Sequence, residues 1–154
     1  MKIKILALGK SKQGFIETGL QEYLKRLSKY TQTEFIVLPD VQLTKTNSVE
    51  IVKEKEAAIL EKHLNEKDFI IALDENGKQF KSVDFARLLE KQKREGDLIF
   101  AIGGVYGLTA KILDKSNLIL SFSKFTFTHQ IIRLILAEQL YRAFTILEGK
   151  KYHY

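Results

Sequence analysis

Apolar residues along this chain follow two periods. Over residues 2–8 they alternate with Lys2 and Lys4 and then run on unbroken to Leu8, which predicts a strand. Glu34–Leu38 predicts a second strand, stopped by Pro39. Asp68–Leu73 and Asp97–Ile102 are continuous apolar runs opened by a carboxylate. They read as third and fourth strands buried on both faces, with a fifth at Asn117–Ser121. Between these runs the spacing changes to three and four. Phe15, Ile16, Leu20, Tyr23, Leu24 and Leu27 predict a helix over 14–30. Asn47, with Glu50 three residues later, resembles a capping box that opens a charged helix to about Leu64. Asn76-Gly77 marks a turn. Ser82 is expected to cap a helix reaching about Arg94, and a short helix is expected near 109–114. Phe122–Thr128 reads as irregular, and 129–147 as the last helix. Strand and helix alternate throughout, so the expected class is α/β: one domain over 1–154, an open and mainly parallel sheet with helices on both faces.

The last helix departs from the amphipathic pattern. Ile131, Ile132, Leu134, Ile135, Leu136, Ala137, Leu140, Tyr141, Ala143 and Phe144 cover most of its circumference. A helix apolar nearly all round is buried nearly all round. In a domain of 154 residues that points to a second subunit, hence a homodimer.

Composition narrows the class further. With 45% hydrophobic and 29% charged residues, the chain can build a core and is not disordered. Zero cysteines exclude a disulfide scaffold, thiolate catalysis, zinc fingers and iron–sulfur clusters, and fit a reducing compartment. No run approaches the ~18 apolar residues of a membrane span. The interrupted start does not read as a signal peptide, so a cytoplasmic location is expected. The net charge is +6, and it is uneven: residues 1–77 carry 12 basic and 12 acidic side chains, residues 78–154 carry 13 and 7. Such a basic half suits either a solvated surface or a phosphate-rich partner.

Candidate chemistry follows. Gly9-Lys10-Ser11 is not a phosphate loop, because Lys4 stands where the first glycine is required. Gly103-Gly104-Val105-Tyr106-Gly107 follows the fourth strand. It serves either a tight turn or close backbone approach of a ligand at a strand's carboxyl end. His129 and Arg133 share a helix face, as do Glu138 and Arg142. The tail, Lys150-Lys151-Tyr152-His153-Tyr154, is either a frayed end or a source of charge, stacking rings and an imidazole. No metal-ligand spacing and no Gly-x-Ser-x-Gly elbow is present.

Four stretches, in order, carry a resemblance: Ile-Gly-Gly-Val-Tyr-Gly-Leu (102–108), Leu-Ser-Phe-Ser-Lys-Phe-Thr-Phe-Thr-His-Gln-Ile-Ile-Arg (120–133), Glu-Gln-Leu-Tyr-Arg-Ala (138–143) and Tyr-His (152–153). Together they closely resemble the ribosomal RNA large subunit methyltransferase H family of the SPOUT class, from Met1 to the tail. The resemblance implies a C-terminal trefoil knot, a homodimer, and methylation of N3 of a pseudouridine in 23S ribosomal RNA from S-adenosylmethionine. It places the methyl donor on Leu73, Gly103, Phe122, Ser123, Lys124, Phe125, Thr126 and Phe127. The family often has Pro where Thr128 stands, and Met or Leu where Phe125 stands. Loss of the ring-nitrogen proton calls either for a base, with His129 and His153 as candidates, or for stabilisation of the pyrimidine anion by cations alone. Arg133, Arg142 and Tyr152 are then orienting or anion-stabilising groups. The rival reading is a basic RNA-binding assembly factor without catalysis, against which the donor motifs count.

Overall fold

The computed structural model describes residues 2–92 and 96–154. Five strands, β1 (Ile3–Leu8), β2 (Thr33–Leu38), β3 (Phe69–Lys78), β4 (Leu98–Ile102) and β5 (Leu118–Leu120), alternate with five helices. These are α1 (Gly14–Leu27), α2 (Val49–Glu61), α3 (Ser82–Lys91), α4 (Ala110–Lys115) and α5 (Ile131–Leu147). The strands form one sheet in the order β2-β1-β4-β3-β5, and every pairing is parallel. The expected open parallel sheet is the one observed.

Register explains why the central strands are apolar without interruption. Ile5, Phe100 and Ile71 lie side by side on one face, where α1, α3 and α5 supply Leu27, Phe85, Leu89, Leu136 and Leu140. Leu6, Ile99 and Ile70 point to the other face, against Ala57 and Leu60 of α2 and Ile112 of α4. Each fully buried aliphatic side chain contributes roughly 1.5–3 kcal/mol by leaving water. A sheet sandwiched in this way has no polar side in its middle strands.

Several boundaries differ from the expectation, each for a local reason. α2 is capped by Ser48, whose Oγ accepts the Ile51 N–H at 3.3 Å. The Asn47 side chain instead closes the preceding loop, accepting from Thr44 N and donating to Gln42 O. Ser82 is the first residue of α3, not its cap, and its hydroxyl donates to Gln139 of α5. α3 ends at Lys91, and the expected end near Arg94 lies outside the described residues. β3 runs past Leu73 through the expected Asn76-Gly77 turn: Leu73 and Lys78 both face Leu120, and the four residues between them bulge away. α5 starts at Ile131, two residues late, because His129 and Gln130 form a turn.

α5 packs between α1 and α3. Gly19 permits the close approach on the α1 side, since a Cβ there would sit 3.0 Å from Leu134. The helix is not buried all round within one chain. Ile131, Ile135, Glu138 and Arg142 form a half-exposed stripe. Among the described residues no helix is long and apolar enough to cross a membrane.

Candidate functional site

A cleft of about 1020 Å³ opens at the carboxyl ends of β3 and β4. Leu73, Asp74, Glu75 and Asn76 form one wall, the Gly103–Gly107 loop a second, and the 122–128 segment a third. Gln13, Phe15 and Ile16 at the start of α1 and Ile131 and Ile132 at the start of α5 complete it. In open α/β sheets this is where ligands bind.

The glycine loop is shaped by its own closure. A Cβ on Gly103 would lie 2.7 Å from the Gly107 carbonyl carbon, so only glycine lets the loop fold back on itself. Gly107 takes φ +78°, a left-handed conformation, and its N–H donates to Gly104 O at 3.1 Å. The result is a wall in which the glycines present backbone to the cleft beside the side chains of Val105 and Tyr106.

The 122–128 segment has no regular partner strand, so its polar groups are tied by side chains. Ser121 Oγ donates to Ser123 O at 2.8 Å, and Ser123 Oγ accepts from Phe125 N at 3.0 Å. Thr126 Oγ1 donates to Glu75 Oε2 at 2.6 Å, closing the segment over the β3 bulge. Thr128 Oγ1 accepts from Ile131 N at 3.2 Å and so starts α5. Phe125 is left 80% exposed on the rim.

The electrostatics are one-sided. Asp74 and Glu75 line the cleft, and no Lys or Arg does among the described residues. Burial, and then the nearby Arg133 charge, lower the His129 pKa, so its imidazole on the cleft wall is neutral at pH 7. A polyphosphate finds no cation there, whereas a positively charged ligand finds two carboxylates. Exposed Lys10, Lys12, Lys78 and Lys124 are kept off the walls. No group of three or more His, Asp or Glu is placed to hold a metal among the described residues.

Of the residues singled out from sequence, Leu73, Gly103, Phe122, Ser123, Phe125, Thr126, Phe127 and His129 meet at this cleft. Lys124 belongs to the same segment but is exposed and off the wall. Arg133 turns away from it. It is fully buried and donates from Nη1 to Gly9 O (2.8 Å), from Nη2 to Leu8 O (2.6 Å) and from Nε to His129 O (3.1 Å). It braces the end of β1 against the turn that carries His129.

Arg142, Tyr152 and His153 gather at the other end of α5. The Tyr152 ring meets Tyr141 edge-on, with centroids 4.7 Å apart, and Arg142 stacks over it. The Tyr152 hydroxyl donates to Glu138 at 3.1 Å and lies 3.3 Å from Tyr23 Oη. Burial, the Tyr23 contact and the Glu138 charge push its phenol far above the ordinary range, so it stays a protonated donor. Arg142 pairs with Glu138, and its Nη1 lies 3.4 Å from His153 Nδ1. The tail is therefore docked through Tyr152, while Lys151, His153 and Tyr154 remain exposed.

A family model described as predicted SPOUT methyltransferase matches residues 1–153. The chain belongs to the SPOUT methyltransferase family. It is 45% identical over 158 aligned positions to a ribosomal RNA large subunit methyltransferase H of Halothermothrix orenii, covering 99% of each chain. It is 40% identical to the protein of the same name from Caldicellulosiruptor saccharolyticus, covering 98% of this chain and 99% of that one. Its fold is similar to that of a probable methylase family protein from Haemophilus influenzae (TM-score 0.54, 14% identity, 97% of this chain and 67% of that one). A tRNA methyltransferase from Aquifex aeolicus is similar too (TM-score 0.53, 13% identity, 92% and 70%).

Sequence reasoning missed part of this SPOUT cleft. Asp74 and Glu75 sit directly after the third apolar run, and their position at a strand's carboxyl end was the available signal. Gln13 and Phe15 reach the cleft by tertiary packing alone, whereas Gln130 lies within the 120–133 stretch that carries the resemblance. Gln130 Oε1 accepts from Lys12 N at 3.0 Å across 118 residues.

Proposed function

We propose that the cleft holds S-adenosylmethionine and that the protein methylates N3 of a pseudouridine in 23S ribosomal RNA, acting as a homodimer in the cytoplasm. The observation that carries the donor assignment is the cleft's charge: two carboxylates, no cation, and aromatic and glycine-backbone walls. That set suits a sulfonium nucleoside and disfavours a nucleotide polyphosphate. When bound, S-adenosylmethionine supplies an electrophilic methyl group on a positively charged sulfur.

The chain's own residues supply the rest. The glycine loop at Gly103–Gly107 and the Phe122–Phe127 segment orient the ligand, and orientation lowers the barrier by making the encounter intramolecular. The proton on the accepting ring nitrogen must leave as the N–C bond forms and the S–C bond breaks. Neutral His129 is able to take it. Exposed Lys10, Lys12, Lys78 and Lys124 around the cleft suit RNA phosphates.

Within one chain the Arg142–Tyr152–His153 cluster is far from His129. From Ile131, where α5 begins, to Arg142 the helix rises about 16 Å along its axis, and His129 lies in the turn before it. Antiparallel pairing of two α5 stripes would set the tail of one chain beside the cleft of the other. The half-exposed Ile131 and Ile135, with exposed Phe15 and Phe125, offer the apolar surface for it. This reading includes the trefoil crossing of the SPOUT class, at the 121–130 segment that closes over the β3 bulge.

The test is direct. Calorimetry should detect S-adenosylmethionine binding, and mass spectrometry of ribosomal RNA from cells lacking the protein should show one methylated pseudouridine lost. Donor binding with unchanged RNA would refute the substrate assignment. No donor binding would favour the non-catalytic assembly factor.

A further inference from the structure

Beneath the glycine loop lies a carboxyl group with no part in the donor cleft. Glu56 sits on α2, on the opposite face of the sheet from α5, and is only 4% exposed. Its Oε1 accepts the Val41 N–H at 3.1 Å, from the loop that follows β2. Its Oε2 is buried and makes no hydrogen bond among the described residues. That oxygen occupies the space where a side chain on Gly104 would be: a Cβ there would lie 2.8 Å from it. Gly104 itself lines the cleft on its other side.

We propose that Glu56 is a positioning residue for the glycine loop, its carboxyl group wedged between Val41 N–H and the underside of Gly104 so as to set the height of the cleft wall. The proposal rests on the reading of that cleft as the donor site. Protonation eases that burial. A buried carboxylate with one unpartnered oxygen has a larger desolvation cost than the neutral acid. Burial is the main influence on this group and raises its pKa above the usual carboxylate range. The Val41 N–H works against that rise. Asp40, the charged side chain acting on it from the neighbouring loop, adds to it. The sign follows. The folded, loop-closed state holds the proton more tightly than open chain does, so its advantage is present at low pH. It is lost as pH rises through the raised value. Ionisation should push the wedge toward solvent and release the loop. His129, lowered from its ordinary value, is common to the unaltered protein and a Glu56 variant, so the difference between them isolates Glu56.

The experiment measures S-adenosylmethionine affinity by calorimetry for the full-length protein and two variants, from about pH 4.5 to about pH 9, which spans the ordinary glutamate value and the range that a buried one reaches. Glu56→Gln keeps the acceptor for Val41 and the volume under Gly104, but cannot ionise. It should bind the donor as the unaltered protein does at the acid end, and lose the fall in affinity with rising pH that ionisation of Glu56 causes. Glu56→Ala should bind about tenfold more weakly or worse at every pH, the scale of one lost buried hydrogen bond. A pH dependence identical in Glu56→Gln and the unaltered protein would overturn the proposal, as would unaltered affinity in Glu56→Ala. If Glu56→Ala does not fold, the glutamine comparison alone decides. Failure of the unaltered protein to bind the donor at any pH would overturn the donor-site reading, and this proposal with it.

Discussion

Replacing Arg133 separates two roles for a residue that sequence placed among the orienting groups of the reaction. Its guanidinium is fully buried, and three of its N–H groups reach backbone carbonyls of Leu8, Gly9 and His129 at 2.6, 2.8 and 3.1 Å. Arg133→Met fills much of the volume but orphans three carbonyls. Hydrogen bonds from a charged donor are worth about 1.5–3 kcal/mol each, though they do not add fully, and the expected loss is about 3–5 kcal/mol. Arg133→Lys should lose nearly as much, because one ammonium cannot span carbonyls on both β1 and the His129 turn. For a domain of this size that corresponds to a fall in Tm of roughly 6–20 °C. The assay is urea unfolding with methyl transfer measured well below each variant's transition. Both variants should be less stable, with activity falling only as far as His129 is displaced. A variant of native stability and no activity would refute the brace and restore a direct role in the reaction.

Gly103→Ala should weaken donor binding and lower the urea midpoint together, since the new Cβ would collide with Gly107 backbone at 2.7 Å; a change in affinity alone would show that the clash is with ligand only. Deleting 151–154 should cut methyl transfer at least ~10²-fold. It should also cost about 1–3 kcal/mol of stability through the lost Tyr141–Tyr152 contact and the Glu138 hydrogen bond, and an unchanged Tm would contradict the docked tail. Ile135→Asp should give a folded monomer in ultracentrifugation, because Ile135 lies on the half-exposed stripe; Leu136, fully buried inside its own chain, would only report on folding. A dimer of unaltered affinity in Ile135→Asp would move the interface elsewhere.

Periodicity located all ten elements, because burial on both faces leaves β4, Phe69–Leu73 of β3 and Ile5–Leu8 of β1 as unbroken apolar runs. It failed at ends, where one side chain decides. Ser48 outcompeted Asn47 as a cap, since Asn47 had two backbone partners in its own loop. The residues that the resemblance assigns to the donor fall together in space, seven of the eight lining one cleft. Arg133 misled because helical spacing gives a face, not a direction: its face turns inward to β1. The tail misled in the opposite sense, since no period extends to a single aromatic that docks on Tyr141 and Tyr23. Glu56 looked like one more charge on a charged helix, and only packing shows it dry.

The strand order has a consequence for how the chain acquires its shape. β4 lies between β1 and β3, and β3 has no neighbour on that side until Leu98–Ile102 arrives. As the chain leaves the ribosome, the β1–β2 pair and β3 therefore emerge as separate pieces with open edges. Neither the cleft nor the seat for α5 can exist before residue 102 has been inserted between them. Non-local pairing of this kind is slow, and it leaves apolar edges open to other chains meanwhile. Translation pausing, or a destabilising change within Leu98–Ile102, should therefore show first as aggregation of nascent chains rather than as a weakened native enzyme.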